Sequence, residues 1–272
     1  MLTINTFLND LIGSYLSVLG PRHLFLSLVP LAAGTGLGFL WLFRRCSNQT
    51  ALSAVKKKLQ AHLLEFRLFN DEPALLWRAY RSLTRLNLRY LALSLPPFLV
   101  ATVPLAVLLT HLDCFYRWQP LPVGQATVVT IQMRRGLETL PVLPRIEDAS
   151  GLVVETPAVR VFDQRQISWR IRPLENISSP LTVRVQGEEI EKEIRAGATL
   201  GPISPERTDS LFDLLLHPCE ARLESEVVAW VSVEYAGALV GPEGLRFHWL
   251  VWFSIISLLT AWLLRKRFGT VL

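Results

Sequence analysis

The sequence predicts a membrane α-helical core, with three transmembrane helices and a cytoplasmic helical hairpin, joined to an extracytoplasmic β-sandwich-like domain. Three observations carry this prediction. His23–Phe43, Tyr90–Leu112 and Phe247–Leu264 contain no Lys, Arg or Glu, and each is close to the roughly 20 residues that a helix needs to cross the hydrocarbon core. The polar stretches between them differ in charge: positions 44–89 hold ten Lys/Arg and three Asp/Glu, whereas 113–246 hold fourteen and nineteen. Within the longer stretch the hydrophobic period changes from that of a helix to that of a strand.

The net charge of +5 hides this asymmetry. The basic excess sits in 44–89 and in the tail residues Arg265, Lys266 and Arg267. Basic flanks are retained in the cytoplasm. The hairpin and the C-terminus are therefore expected inside, and the N-terminus and the β-domain outside. Three crossings put the two ends on opposite sides, which agrees.

Each element follows in order. Residues 1–20 place Ile4, Phe7, Leu8, Leu11, Ile12, Tyr15, Leu16 and Leu19 at helical spacing beside Thr3, Asn5, Asn9, Asp10 and Ser17. This pattern predicts an interfacial amphipathic helix stopped by Gly20 and Pro21; packing on a neighbouring helix would produce the same periodicity. Residues 21–43 form the first expected transmembrane helix, in which Ala32, Ala33, Gly34, Gly36 and Gly38 allow close helix approach. Residues 44–89 form the basic hairpin. Its coiled-coil-like seam is Leu52, Val55, Leu59, Leu63 and Phe66 in one arm and Leu76, Tyr80 and Leu83 in the other, with a turn at Asn70–Pro73. Its second arm should run straight into the second transmembrane helix, 90–112, where Pro96, Pro97 and Pro104 favour kinks.

Residues 113–246 form the outer domain. Alternating runs at 128–133, 152–155, 158–162, 167–171, 181–185 and 227–235 read as strands. Turns are expected at 147–151, 163–164, 186–187 and 197–198. A short helix is expected near 205–217, from the spacing of Leu211, Phe212, Leu214 and Leu215. The third transmembrane helix is 247–264, followed by a cytoplasmic tail, 265–272.

Little in the chain suggests chemistry. There is no nucleophile motif, no glycine-rich phosphate loop and no paired carboxylate in an apolar setting, so the chain reads as non-enzymatic, without a cofactor. The five histidines are dispersed and no Cys/His spacing suggests a metal site. Cys46 falls on the reducing side. Cys114 and Cys219 fall on the oxidising side, where a disulfide is chemically allowed and two buried thiols are the alternative. Asn176-Ile177-Ser178 is a glycosylation triplet of the kind that also arises by chance.

The order of first span, hairpin, second span, outer loop and third span resembles the three-helix core of the YidC/Oxa membrane-insertase superfamily. The likeness is to its minimal members, archaeal YidC-like proteins and the third subunit of the ER membrane protein complex. The residues that carry it are Ser47-Asn48-Gln49, Leu52 to Phe69, Asn70-Asp71, and Arg85-Leu86-Asn87-Leu88-Arg89-Tyr90 running into Ser94-Leu95-Pro96. The chain also resembles bacterial membrane proteins that share His248-Trp249-Leu250 at the entry to the last span, which implies the bacterial inner membrane. Two departures stand out: the first span lacks the intramembrane Arg or Lys of many members, and the minimal members lack an outer β-domain.

The resemblance implies an insertase or membrane chaperone, whose partners are the lipid bilayer, nascent membrane proteins, the ribosome or other membrane subunits. Such a protein needs a polar groove. Ser27 and Thr35 in the first span, Ser94 and Thr102 in the second, and Ser254, Ser257 and Thr260 in the third are the candidates to line it. Each hydroxyl has an alternative, a bond to its own helix backbone. Lys56, Lys57, Lys58, Arg67, Arg78, Arg81 and Arg85 are the candidate cytoplasmic contacts. No aromatic interleaving or nucleic-acid motif accompanies them, so attraction to anionic headgroups and a topology signal explain them more simply. The alternative function is a membrane-anchored structural or binding protein whose β-domain recruits a partner. A free edge strand or an exposed apolar patch would favour it.

Overall fold

A computed structural model describes residues 2–19, 24–68, 73–139, 142–148, 150–199, 201–210 and 218–269. Its helices are α1 (Leu2–Leu19), α2 (Leu24–Cys46), α3 (Gln49–Leu68), α4 (Pro73–Tyr116) and α5 (Trp249–Phe268). Among the described residues, three helices are long and apolar enough to cross a membrane, within Leu24–Cys46, Tyr80–Tyr116 and Trp249–Phe268. The chain divides into two compact units. One comprises Met1–Ser27 and Val107–Trp252, the other Leu28–Ala106 and Phe253–Leu272.

The second unit is helical. α2 runs past Phe43 to Cys46 and takes Arg44 and Arg45 into its last turn, where cations suit the carbonyl end of a helix. Asn48 then starts α3 by accepting a hydrogen bond from the Ala51 N–H at 3.0 Å, the usual role of an N-cap side chain. Pro73 opens α4, at the position where its missing N–H costs nothing. The second arm of the hairpin continues into the second span without a break. α4 is 44 residues long and stays helical through Pro96, Pro97 and Pro104.

The residues of the expected seam differ in burial. Leu52 and Val55 are buried, Leu59 and Leu83 are half-buried, and Ser82 Oγ lies 3.2 Å from His62 Nε2 across the two arms. Tyr80 departs from it: the ring is exposed and stacks on Trp77 at 5.9 Å. The side chains of Leu63, Phe66 and Leu76 lie outside the described residues. α5 is shifted from the expected 247–264. Phe247 forms an isolated bridge with Val240, and Arg265, Lys266 and Arg267 belong to the last helical turn instead of a separate tail.

The first unit carries the strands: β1 (Thr127–Met133), β2 (Arg145–Asp148), β3 (Leu152–Val154), β4 (Val159–Val161), β5 (Gln166–Pro173), β6 (Pro180–Val185), β7 (Glu188–Glu193), β8 (Glu206–Thr208) and β9 (Val228–Val233). They form two antiparallel sheets. One has the order β3-β5-β1-β9-β8 with β4 also on β5, and the other has the order β2-β6-β7. Alternate residues from both sheets meet in one buried cluster, including Val129, Ile131, Ile167, Trp169, Leu181, Val183 and Ile190.

The six expected strands correspond to β1, β3, β4, β5, β6 and β9. β2, β7 and β8 are additional. β7 is Glu-Glu-Ile-Glu-Lys-Glu, a composition poor in strand formers. It forms because the turn before it is a two-residue hairpin with Gln186 at φ 50° and Gly187 at φ 89°, the left-handed pair that matches the twist of antiparallel strands. β2 covers Glu147 and Asp148, so the expected turn at 147–151 starts later. The helix expected near 205–217 is corrected at its start. Glu206–Thr208 pairs with Thr208↔Trp230 and Glu206↔Ser232, because the open edge of β9 offers these residues a ladder of backbone partners. Residues 211–217 lie outside the described residues.

α1 belongs to this unit. Ile12 and Leu16 are buried, and the Tyr15 hydroxyl donates to the Ser27 carbonyl at 2.9 Å.

Candidate functional site

Within the β-bearing unit, polar contacts join residues far apart in sequence, among them the helix-end residues Ser27, Asp113, Tyr116 and Trp249. Ser27 is 1% exposed, and its hydroxyl lies 2.8 Å from that of buried Tyr116. Trp249 Nε1 donates to Asp113 Oδ1 at 3.2 Å, and Arg117 donates to the other oxygen of the same carboxylate at 3.1 Å. Cys114, near the end of α4, is joined by a disulfide to Cys219, with Cα atoms 6.3 Å apart and a sequence separation of 105. Cys46 is free and exposed.

Beside that disulfide lies a buried ion pair that sequence reasoning missed. Ile190 and Lys192 of β7 and Ile194 just after it alternate inward, and all three are buried. The Lys192 ammonium donates to the Ser204 carbonyl at 2.8 Å, to the Glu193 carbonyl at 3.4 Å and to Glu220 Oε2. Its three donors thus have three acceptors. Glu220 Oε1 accepts from the Glu193 N–H at 2.9 Å. Burial pushes the Lys192 pKa below its ordinary value, and the Glu220 carboxylate opposes that shift. Nearby, burial raises the Tyr235 phenol, whose oxygen accepts from the Arg195 N–H at 3.1 Å. The signal for Lys192 was present in the run Ile190-Glu191-Lys192-Glu193-Ile194, whose period of two puts the lysine on the isoleucine face.

β3 and β4 both pair with the same side of β5 and form one interrupted edge, with β1 on the other side. The break falls at Thr156-Pro157, and proline suits a sheet edge because it has no N–H to donate. Val159 and Phe162 are more than half exposed, and Val153, Val154 and Val161 are exposed as well. Arg160 lies over the Phe162 ring at 5.4 Å.

The predicted groove residues are not drawn together by their hydroxyls. Thr35, Thr102 and Thr260 donate to the carbonyls of Leu31, Phe98 and Ile256 at 2.8, 2.9 and 2.7 Å. Ser94 bonds the Tyr90 and Leu91 carbonyls, and Ser257 that of Ser254, which is itself exposed. Each bond stays within its own helix. Ser27 belongs to the β-bearing unit. Of the α2 glycines, Gly36 has the closest approach: a Cβ there would sit 2.5 Å from the Ser257 carbonyl oxygen, so α2 and α5 meet backbone to backbone at this level. Of the candidate cytoplasmic contacts, Lys57, Lys58, Arg81 and Arg85 are exposed and Lys56 is half-buried. The side chains of Arg67 and Arg78 lie outside the described residues. No group of three or more His, Cys, Asp or Glu able to hold a metal ion occurs among the described residues.

No protein-family model, curated protein or solved structure matches the chain.

Proposed function

We propose that the protein is a membrane-anchored binding protein: an integral membrane core holds a β-sandwich outside the cytoplasm, and the sandwich recruits a partner through its β3–β4 edge. The observation that carries this reading is the exposure of Val153, Val154, Val159, Val161 and Phe162 along an open sheet edge. Unpaired backbone groups on such an edge add a strand from another chain, and flanking apolar side chains give specificity. The disulfide and the Asp113–Trp249 bond support it by holding the strand-bearing unit to the helix ends that it contains. The N-terminus and the β-domain are assigned to the outside, and the hairpin and C-terminus to the cytoplasm, by the distribution of basic residues.

The insertase reading rests on layout: α2, a basic hairpin, the long α4 and α5 follow one another in the superfamily's order. It asks for hydroxyls facing a hydrated groove, and the hydroxyls of Thr35, Ser94, Thr102, Ser257 and Thr260 bond their own helices instead. The anchored receptor is therefore the better supported of the two.

One experiment separates them. A photoreactive amino acid is placed at Val161 on the edge, or at Lys57 on the hairpin, in living cells. The receptor reading expects a discrete adduct from position 161 that Val159→Lys abolishes. Adducts to ribosomes or nascent chains from position 57, with none from 161, would replace it with the insertase reading.

A further inference from the structure

A cleft of about 630 Å³ lies within the β-bearing unit, between α1 and the segments that carry Glu193, Arg195, Gly201 and Cys219. Its polar groups are oddly unmatched. Arg195 Nε is buried with no hydrogen-bond partner, and so is Asn9 Oδ1. The Asn9 amide is oriented by its other end, since Nδ2 donates to the Pro218 carbonyl at 3.3 Å, which leaves Oδ1 as an open acceptor. The guanidinium lies against Gly201, where a Cβ would sit 3.0 Å from its central carbon. Its remaining charge partner in the cleft is Glu193, at 3.5 Å and half in solvent. The exposed Asp10 carboxylate lines the same cleft from α1. A ligand that matches these groups carries an anion for Arg195 and a cationic hydrogen-bond donor for Asn9 and Asp10.

The position of the cleft specifies the source of such a ligand. Tyr15 bonds the carbonyl of Ser27, in the first turns of the α2 span, so α1 lies at the level of the end of that span. Phe7, Leu11 and Val18 are 65%, 56% and 85% exposed, and their spacing puts them on one stripe of the helix. Thr6, Asp10, Gly13 and Ser17, which line the cleft, occupy the neighbouring stripe. An exposed apolar stripe beside a polar one is the pattern of a helix bedded in the headgroup region.

We propose that this cleft binds the headgroup of an aminophospholipid, with the phosphate at Arg195 and the ammonium between Asn9 Oδ1 and Asp10, while the acyl chains run beside Phe7, Leu11 and Val18. The site does not depend on what the β3–β4 edge recruits.

The test uses the full-length protein, purified in detergent and stripped of lipid, with lipid retention measured by native mass spectrometry. Phosphatidylethanolamine is expected to be retained about tenfold more tightly than phosphatidylglycerol, which lacks the ammonium, and more tightly than phosphatidylcholine, whose quaternary ammonium has no N–H for Asn9. Arg195→Gln should abolish retention of all three. Asp10→Asn, on an exposed helix position that leaves the fold intact, should erase the preference for phosphatidylethanolamine over phosphatidylglycerol. Equal retention of the three lipids by the wild type, or an unchanged preference in Asp10→Asn, overturns the assignment. Free O-phosphoethanolamine competing at the same concentration as the lipid would overturn the membrane source of the ligand.

Discussion

The two compact units treat the same residue types in opposite ways. In the β-bearing unit, polar groups reach across the chain: Lys192 to Glu220, Ser27 to Tyr116, Trp249 to Asp113. Large apolar side chains such as Ile131, Ile167 and Leu181 are buried. In the apolar helices of the other unit, the hydroxyls of Thr35, Ser94, Thr102, Ser257 and Thr260 turn back onto their own helices, and Trp41, Leu95, Phe98, Leu258 and Trp262 are more than half exposed. The difference fits the proposed membrane anchoring, in which the two units meet different solvents. A domain in water gains by hiding apolar area. A helix in lipid gains nothing by hiding it, but must satisfy every polar group internally.

That contrast predicts a falling scale of mutational effects. The largest is expected at Lys192. Lys192→Ala leaves the Glu220 carboxylate buried and unpaired, which costs about 3–5 kcal/mol, whereas replacing both partners with apolar residues of similar volume is close to neutral. Denaturant unfolding of the three proteins in detergent measures this. The pH dependence follows from the same site. Burial sets the folded pKa of Lys192 below its ordinary 10.5, so between the two values the unfolded chain binds the additional proton. Stability should rise as pH increases through that window, and the rise should vanish in the doubly apolar variant.

The disulfide comes next. Replacing Cys114 and Cys219 with serine opens a loop spanning 105 residues, and the expected loss is about 2–4 kcal/mol, read as a lower thermal midpoint. No change in midpoint would mean that the Lys192–Glu220 pair and the backbone bond from the Ile203 N–H to the Cys114 carbonyl already hold that corner.

The smallest effects belong to the helical unit and sharpen the comparison from within. Gly36→Ala drives a methyl into the Ser257 backbone and should cost about 1–3 kcal/mol, the usual range for overpacking. Thr102→Ala removes only an exposed hydroxyl bonded to its own helix and should stay within about 0.5 kcal/mol. Protein abundance in membranes and the thermal midpoint in detergent rank the two. A large effect at Thr102 would show that its hydroxyl serves something other than its helix.

Much of the architecture was legible in the residues. The three apolar segments, the Pro73 start and the alternating strands announce themselves through local chemistry that survives without neighbours. β7 and β8 were not read as strands, because polar segments poor in strand formers become strands only when a hairpin turn or an open edge supplies the partner. The candidate groove was legible as a list of hydroxyls and no more. Whether a threonine faces a groove or its own i−4 carbonyl depends on a rotamer, which spacing does not reveal. The cleft beneath α1 was wholly hidden, since Asn9, Asp10, Arg195 and Gly201 are brought together across nearly two hundred residues.

The sequence by itself determined which segments are long and apolar enough to cross a bilayer, the opposite charges of the two polar stretches and most of the strands, because these follow from residue type and period alone. Only the tertiary structure decided that Lys192 is an inward ion-pair partner, that Cys114 meets Cys219, that Gly36 seats a helix backbone, and that Arg195 and Asn9 share one cleft. These depend on contacts between residues distant in sequence, and such contacts exist only once sheet register and helix packing have been chosen.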